Sequence, residues 1–337
     1  MSDPSPGNIR ELLELRVESS PDRPFVYSEA DGRILSYSDL DRLVNRTANL
    51  LLSKGATKGD RISLFLSNRV EYFVFYLACF KIGAWAGPVN ALLKPAEVRY
   101  VVDHSQAALA VTEPSLYSTL VEASQGLNRL RDVILVSGFS DREDTTGASG
   151  ANFATISYED CLEDQSDSLA KTPIGRDDEA MIIYTSGTTG KPKGVLLTHG
   201  NLLTNAREIS AWLKLTEDDR ALMIMPLFHV NALMTTGLAA LRAGGSIVIA
   251  PKFSASRHWD MISRNRVTYF GSVATMLSLL NHTYPQGLPA GCDTSTLRFA
   301  LCGSAPVPVE VMKEYESLFS CPVIEGYGLS ESTCRAT

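Results

Sequence analysis

Tyr184-Thr185-Ser186-Gly187-Thr188-Thr189-Gly190-Lys191-Pro192-Lys193-Gly194 decides how this chain is read. The apolar run Met181-Ile182-Ile183-Tyr184 leads into it, and Val195-Leu196-Leu197-Thr198 leads out. Each run reads as a short buried strand. Between them lie three glycines, four Ser/Thr hydroxyls and two lysines. Glycine lets a backbone approach a ligand closely and adopt φ > 0. Successive backbone N–H groups in such a turn form an anion-binding concavity. Hydroxyls add donors and lysines add charge, so the guest that suits this loop is a polyphosphate. The plainer alternative is a Gly/Thr hairpin with solvated lysines. The loop is not a Walker A motif, which requires G-x-x-x-x-G-K-S/T. Gly187 and Gly190 are too close together, and Lys191 is followed by Pro192. An ordinary P-loop ATPase or kinase is therefore not supported.

Outward from that loop, strand-length apolar runs alternate with helical periods. Upstream, the pattern predicts a helix over 8–17, a strand at Phe25-Val26-Tyr27, a turn at Asp31-Gly32 and a return strand over 34–37. A helix over 38–53, capped by Ser38 and ended near Gly55, precedes a strand over 61–66. The apolar run 72–80, with Ser67 or Asn68 as cap, is too short to span a bilayer and suits a buried helix. Strands over 84–89, 108–112 and 133–136 and a helix over 96–104 follow. The stretch 137–151 has no apolar period and reads as a mobile surface loop or a linker. Downstream, helices over 201–213, 256–265, 274–281 and 309–318 alternate with strands over 221–226, 246–250, 267–270 and 297–301. The expected fold is α/β, with mostly parallel sheets flanked by helices. It divides into two sub-sheets, roughly 1–172 and 173–337, without an internal repeat at the residue level.

Composition narrows the function. With 337 residues and 45% hydrophobic content, the chain is long enough for more than one core. A net charge of −7 and no sustained basic run argue against a general nucleic-acid binder. Six scattered cysteines without a C-x-x-C suggest reduced, packed thiols in the cytoplasm. Five histidines without an H-E-x-x-H pair argue against a zinc site. No signal-peptide layout opens the chain.

Three further constellations carry chemistry. Cys302-Gly303-Ser304-Ala305-Pro306 follows a predicted strand and precedes a helix. Ligands of open α/β sheets sit beyond the carboxyl ends of strands, and small residues leave room for a flat ring. Glu325-Gly326-Tyr327-Gly328-Leu329-Ser330-Glu331-Ser332 offers an aromatic ring that can stack on a base and a carboxylate that can hold Mg²⁺. Pro226-Leu227-Phe228-His229-Val230-Asn231-Ala232 carries a histidine, either a satisfied core residue or a functional one.

The loop at 184–194 resembles the signature of the adenylate-forming superfamily, which includes acyl- and aryl-CoA synthetases, peptide-synthetase adenylation domains and firefly luciferase. It satisfies every fixed position of that signature. The other three constellations follow in the family's order, so the resemblance covers nearly the whole chain. It implies that Thr185, Ser186, Gly187, Thr188, Thr189, Gly190 and Lys193 hold the β,γ-phosphates of ATP. It implies that Gly303, Ser304, Ala305, Pro306, Glu325, Gly326, Tyr327 and Gly328 form the adenine site. Ser330, where many members have Thr, would meet the α-phosphate or carboxylate region, and Glu331 would bind Mg²⁺. His229, with Val230, Asn231 and Gly303, would form the mouth of the acid pocket. His229 tilts the resemblance toward acyl-CoA synthetases. The pocket is expected among 202–213, 230–238 and 271–277, whose composition suggests an apolar acid such as a fatty acid.

The reaction implied is AMP-forming: acid and ATP give an acyl-adenylate, then CoA gives a thioester. An acyl-AMP ligase that loads a carrier protein, or a nucleotide-binding module that does not adenylate, are the alternatives. A homodimer is compatible with either. Full-length relatives continue past Thr337 into ribose-binding Asp and Arg residues, a hinge and a mobile C-terminal domain with the adenylation lysine. The resemblance therefore implies an N-terminal domain that lacks this lid and has little activity alone.

Overall fold

The computed structural model describes residues 6–138, 153–185 and 190–336. In chain order the elements begin α1 (Ile9–Ser19), β1 (Pro24–Ser28), β2 (Ile34–Ser36), α2 (Tyr37–Ser53), β3 (Arg61–Phe65), α3 (Val70–Ile82) and β4 (Trp85–Pro88). Then come α4 (Pro95–Ser105), β5 (Leu109–Thr112), α5 (Pro114–Ser124), β6 (Asp132–Leu135), β7 (Ala154–Ser157), α6 (Tyr158–Leu162), β8 (Glu179–Thr185), β9 (Lys193–Thr198) and α7 (His199–Trp212). After β10 (Arg220–Met223) comes a π-helix (Ala232–Leu238), then α8 (Ala239–Ala243), β11 (Ser246–Ile249), α9 (Ala255–Asn265), β12 (Tyr269–Ser272) and α10 (Ala274–Thr283). The chain continues through β13 (Phe299–Gly303), α11 (Val309–Phe319) and β14 (Val323–Gly326) to a single 3-10 turn (Ser330–Ser332).

The chain forms two compact units. The first comprises Met1–Pro21 and Tyr37–Asn201, the second Asp22–Ser36 and Leu202–Thr337. The expected division near 172/173 is therefore corrected in two ways. Strands β8 and β9 belong to the first sheet, and the early hairpin β1–β2 belongs to the second. Sequence order alone misassigns both, because hydrogen-bond partners chosen across long separations decide sheet membership.

The first unit's sheet runs β7-β6-β5-β3-β4-β8-β9. All its neighbours pair in parallel except β8 and β9, which form an antiparallel margin. Helix α3 is buried at all thirteen positions, as a helix that is apolar all round must be. Gly83, with φ +71, ends it in the left-handed region. Pro95 and Pro114 open α4 and α5, where a missing N–H costs nothing. On one face of the sheet Val98, Val101, Tyr117, Leu120 and Val133 share a core cluster.

The second unit's sheet runs β14-β13-β12-β10-β11-β1-β2, again parallel except for its terminal hairpin. Successive strands build to one side of β10 with β11 and to the other with β12. That reversal is a topological switch point, where ligands bind open α/β sheets.

The expected strands and helices recur within a few residues, with some differences. Tyr37 starts α2 and does not end a strand, so Ser38 lies inside the first turn. Arg69, not Ser67 or Asn68, occupies the N-cap of α3. The elements α5, β7, α6, α8, β14 and the π-helix had no counterpart in the sequence reading. Of the stretch 137–151, only Ser137 and Gly138 fall within the described residues, and both donate backbone N–H groups to Glu159. All six cysteines are unpaired. Among the described residues no helix is long and apolar enough to cross a membrane.

Candidate functional site

In the first unit the signature is the end of a hairpin. Strands β8 and β9 pair through Met181 with Leu197, Ile183 with Val195, Tyr184 with Gly194 and Thr185 with Lys193. Lys193, exposed, thus stands opposite Thr185 at the mouth of the loop. Ser186, Gly187, Thr188 and Thr189 lie outside the described residues. Gly190 takes φ +92, a conformation that costs a side-chain-bearing residue most. A Cβ at Gly194 would sit 2.9 Å from Ile182 Cδ1, so glycine lets the two strands close here.

Helix α4 braces this hairpin. The Tyr100 hydroxyl donates to the Pro192 carbonyl at 3.0 Å. The Tyr184 hydroxyl and His104 Nδ1 share a hydrogen bond of 2.9 Å. The Tyr100 and His104 rings stack at 5.4 Å, and Tyr184 stands edge-on to both. Burial pushes the Tyr184 phenol up to about 12, so it stays a neutral hydrogen-bonding group at physiological pH. Sequence reasoning missed Tyr100 and His104. Their only signal was helical spacing, with no motif to mark them.

In the second unit the expected residues hang from the carboxyl ends of adjacent parallel strands. The segment Pro226-Leu227-Phe228-His229 follows β10, at the switch point beside β12. Gly303 ends β13 and Gly326 ends β14, paired in register. A Cβ on Gly303 would lie 2.6 Å from the Gly326 carbonyl oxygen, so the two strands meet here because residue 303 carries no side chain. Ser304 follows at φ +69, a left-handed turn unusual for a residue with a Cβ. Ser304, Ala305 and Pro306 are exposed. Glu325, expected at the adenine site, accepts the Val307 N–H on Oε1 at 3.0 Å and so pins this turn.

Tyr327 is 62% exposed, a large ring with a face left open. Gly328 leaves space for the returning chain, since a Cβ there would collide with the Cys334 carbonyl. The Ala336 N–H donates to the Tyr327 carbonyl at 3.0 Å, which fixes the loop's base. Ser330, half-buried, and Glu331, exposed, lie on the 3-10 turn. Among the described residues no group of three or more His, Cys, Asp or Glu side chains could hold a metal. A solitary exposed carboxylate still fits Mg²⁺, which is commonly bound by one or two carboxylates plus substrate phosphates.

His229 reaches solvent, yet desolvation of the buried part of its ring lowers its pKa. The ring is therefore neutral at pH 7. Its neighbour Val230 is buried. Asn231 Oδ1 accepts from the Thr235 hydroxyl at 2.7 Å and from the Cys334 thiol at 3.7 Å. The π-helix starts immediately after Asn231, a rare conformation frequently found at functional sites. Periodicity could not have announced it, because i→i+5 bonding leaves no distinct apolar pattern.

Comparison with known proteins gives a family match, described as AMP-binding enzyme, over residues 13–337. A sulfoacetate–CoA ligase of Cupriavidus necator is 32% identical over 327 residues, 96% of this chain and 60% of that protein. The long-chain-fatty-acid–CoA ligase FadD13 of Mycobacterium tuberculosis is 30% identical with the same coverage. The inhibitor-bound N-terminal domain of FACL13 from Mycobacterium tuberculosis superposes with a TM-score of 0.83 and 27% identity, over 97% of this chain and 77% of that one. The chain thus spans about 60% of the length of the two curated relatives it matches here.

Proposed function

The chain belongs to the AMP-binding enzyme family, and from that premise we propose that it carries the ATP- and acid-binding machinery of an acid–CoA ligase. One observation carries the reading. The His229 segment, the 303–306 turn and the Tyr327 loop all leave carboxyl ends of parallel strands in one sheet, two of them locked in register by Gly303 and Gly326.

In this reading the acid's carboxylate oxygen attacks the α-phosphorus of ATP. The bond to the bridging oxygen breaks and pyrophosphate leaves. The CoA thiol then attacks the acyl carbon, loses its proton and expels AMP. No covalent protein nucleophile is needed. The protein aligns two anions and offsets charge that develops during in-line transfer. Lys193, Thr185 and the loop amides hold the leaving phosphates. Tyr327 packs its open face on adenine, against the small residues 303–306. Neutral His229 lies by the acid without adding charge to it, and Ser330 donates toward the α-phosphate. Glu331 would hold Mg²⁺, which supplies positive charge to the phosphates when bound.

The relatives named above act on chemically different acids, sulfoacetate and long-chain fatty acids, so likeness alone does not choose the substrate. The reading is tested by acid-dependent exchange of labelled pyrophosphate into ATP, with products separated. AMP and pyrophosphate are expected. ADP and phosphate would reject the mechanism. Supplying CoA and a phosphopantetheinylated carrier protein in parallel identifies the acceptor.

A further inference from the structure

Within the second unit, the region expected to hold the acid is not uniformly apolar. The chain after the 3-10 turn returns toward β14 and brings Arg335 into it. The Arg335 guanidinium carbon lies 3.8 Å from the centroid of the Trp212 ring. Its Nη2 side presses against Gly326, where a Cβ would collide with it. Its Nη1 is buried and has no hydrogen-bond partner. Among the described residues no carboxylate stands within ion-pair distance of Arg335. Burial lowers its pKa, yet a guanidinium keeps its charge in proteins.

Arg335 as a whole is half-buried and its face is supported by Trp212, but its buried Nη1 is left without a hydrogen-bond partner, which costs stability if the residue only supports the fold. Stacking on Trp212 uses the face of the guanidinium and Gly326 takes its Nη2 side, so Nη1 is the donor left for an oxyanion. The setting is also held in place. Asn205 donates its side-chain amide to the Arg335 carbonyl at 3.1 Å, and Asn205 Oδ1 is itself buried without a partner. The preceding Cys334 is tied to Asn231 and to Thr235, the latter at 3.6 Å. Trp212 and Asn205 lie on α7, and Asn231 follows His229 by two residues. Both segments are ones in which the acid was expected.

We infer that Arg335 forms an oxyanion subsite for the acid, so that the preferred substrate carries a second negatively charged group remote from the carboxylate that is activated. The inference rests on the ligase reading for calling this region the acid's. It replaces the expectation of a wholly apolar acid. Arg335 is here a specificity residue, touching the substrate's far end.

The test pairs acids of equal carbon number that differ by one carboxylate: succinate with butyrate, and adipate with hexanoate. Each is titrated calorimetrically into the chain and assayed in parallel for pyrophosphate exchange. The dicarboxylate of at least one pair should bind about 10- to 100-fold more tightly than its monoacid, the range of a charge-assisted contact. Arg335→Leu should erase that preference, and Arg335→Lys should retain part of it. Circular dichroism identifies a variant that fails to fold, and the Lys variant then carries the comparison. Monoacids that bind as tightly as diacids in both pairs overturn the inference, as does a diacid preference that survives Arg335→Leu. Exchange supported by monoacids alone overturns it too, while the ligase reading stands. Absence of ATP binding in calorimetry, beside an Arg335-dependent diacid preference, overturns the ligase reading and keeps the oxyanion subsite.

Discussion

The first unit carries its expected chemistry on the antiparallel hairpin β8–β9 at the margin of its sheet, whereas the hairpin β1–β2 of the second carries none. The second unit hangs its chemistry from the carboxyl ends of β10, β13 and β14. The contrast shows two ways to fix the position of a loop. A hairpin loop is held by its own ladder, so Lys193 inherits its position from its pairing with Thr185. Loops after parallel strands belong to chain segments far apart in sequence. Only the sheet's register aligns them, and here the alignment depends on Gly303 meeting Gly326.

The contrast can be broken most severely at Lys193. Lys193→Ala should lower acid-dependent pyrophosphate exchange by about 10²- to 10³-fold, the typical cost of losing one donor to developing charge. The unfolding midpoint should stay put, because the side chain is exposed. Exchange within twofold of the parent would remove the hairpin from the nucleotide's machinery.

A smaller effect compares the units through their buried histidines. His199 in the first unit is held down to about 4, first by desolvation, and His258 in the second down to about 3 by desolvation. Neither His258 ring nitrogen has a hydrogen-bond partner, nor does His199 Nε2. The unfolded chain takes up these protons near pH 6.5, before the folded one does. Stability from each is thus fully present above about pH 6.5. It falls as the pH drops toward 4 for His199 and toward 3 for His258. Denaturant titrations at pH 7.5 and 5 should differ by on the order of 2 kcal/mol per histidine. His258→Leu should remove one share of that difference. An unchanged difference in the variant would mean that His258 finds a proton acceptor.

The finest probe is Tyr100→Phe, which deletes the hydroxyl held by Pro192 and nothing else. A single neutral hydrogen bond contributes roughly 0.5–1.5 kcal/mol. The KM for ATP should therefore rise a few-fold, with kcat little changed. An unaltered KM would mean the β8–β9 ladder positions the loop without help from α4.

Much of this was legible beforehand, for identifiable reasons. The signature at 184–194 combines glycine, hydroxyl and lysine at short range, and the strand pair around it is local. The alternation of strand and helix is likewise written in short-range periodicity. Sheet membership was less accessible. The hairpin β1–β2 joins β11, more than two hundred residues later, by a parallel pairing of Val26 with Ile247 that no local pattern encodes. The brace of Tyr100 and His104 on the hairpin was hidden for the same reason.

By itself, then, the order of residues determined the α/β class, the hairpin that carries Lys193, and the local chemistry of the segments proposed to meet the nucleotide. These depend on propensity, on glycine's conformational freedom and on the chemistry of neighbouring residues. Tertiary structure alone decided that Gly303 faces Gly326, that a π-helix follows His229 and that Arg335 stacks on Trp212. Those outcomes arise from close approach between segments distant along the chain, where packing selects partners that local preference cannot name.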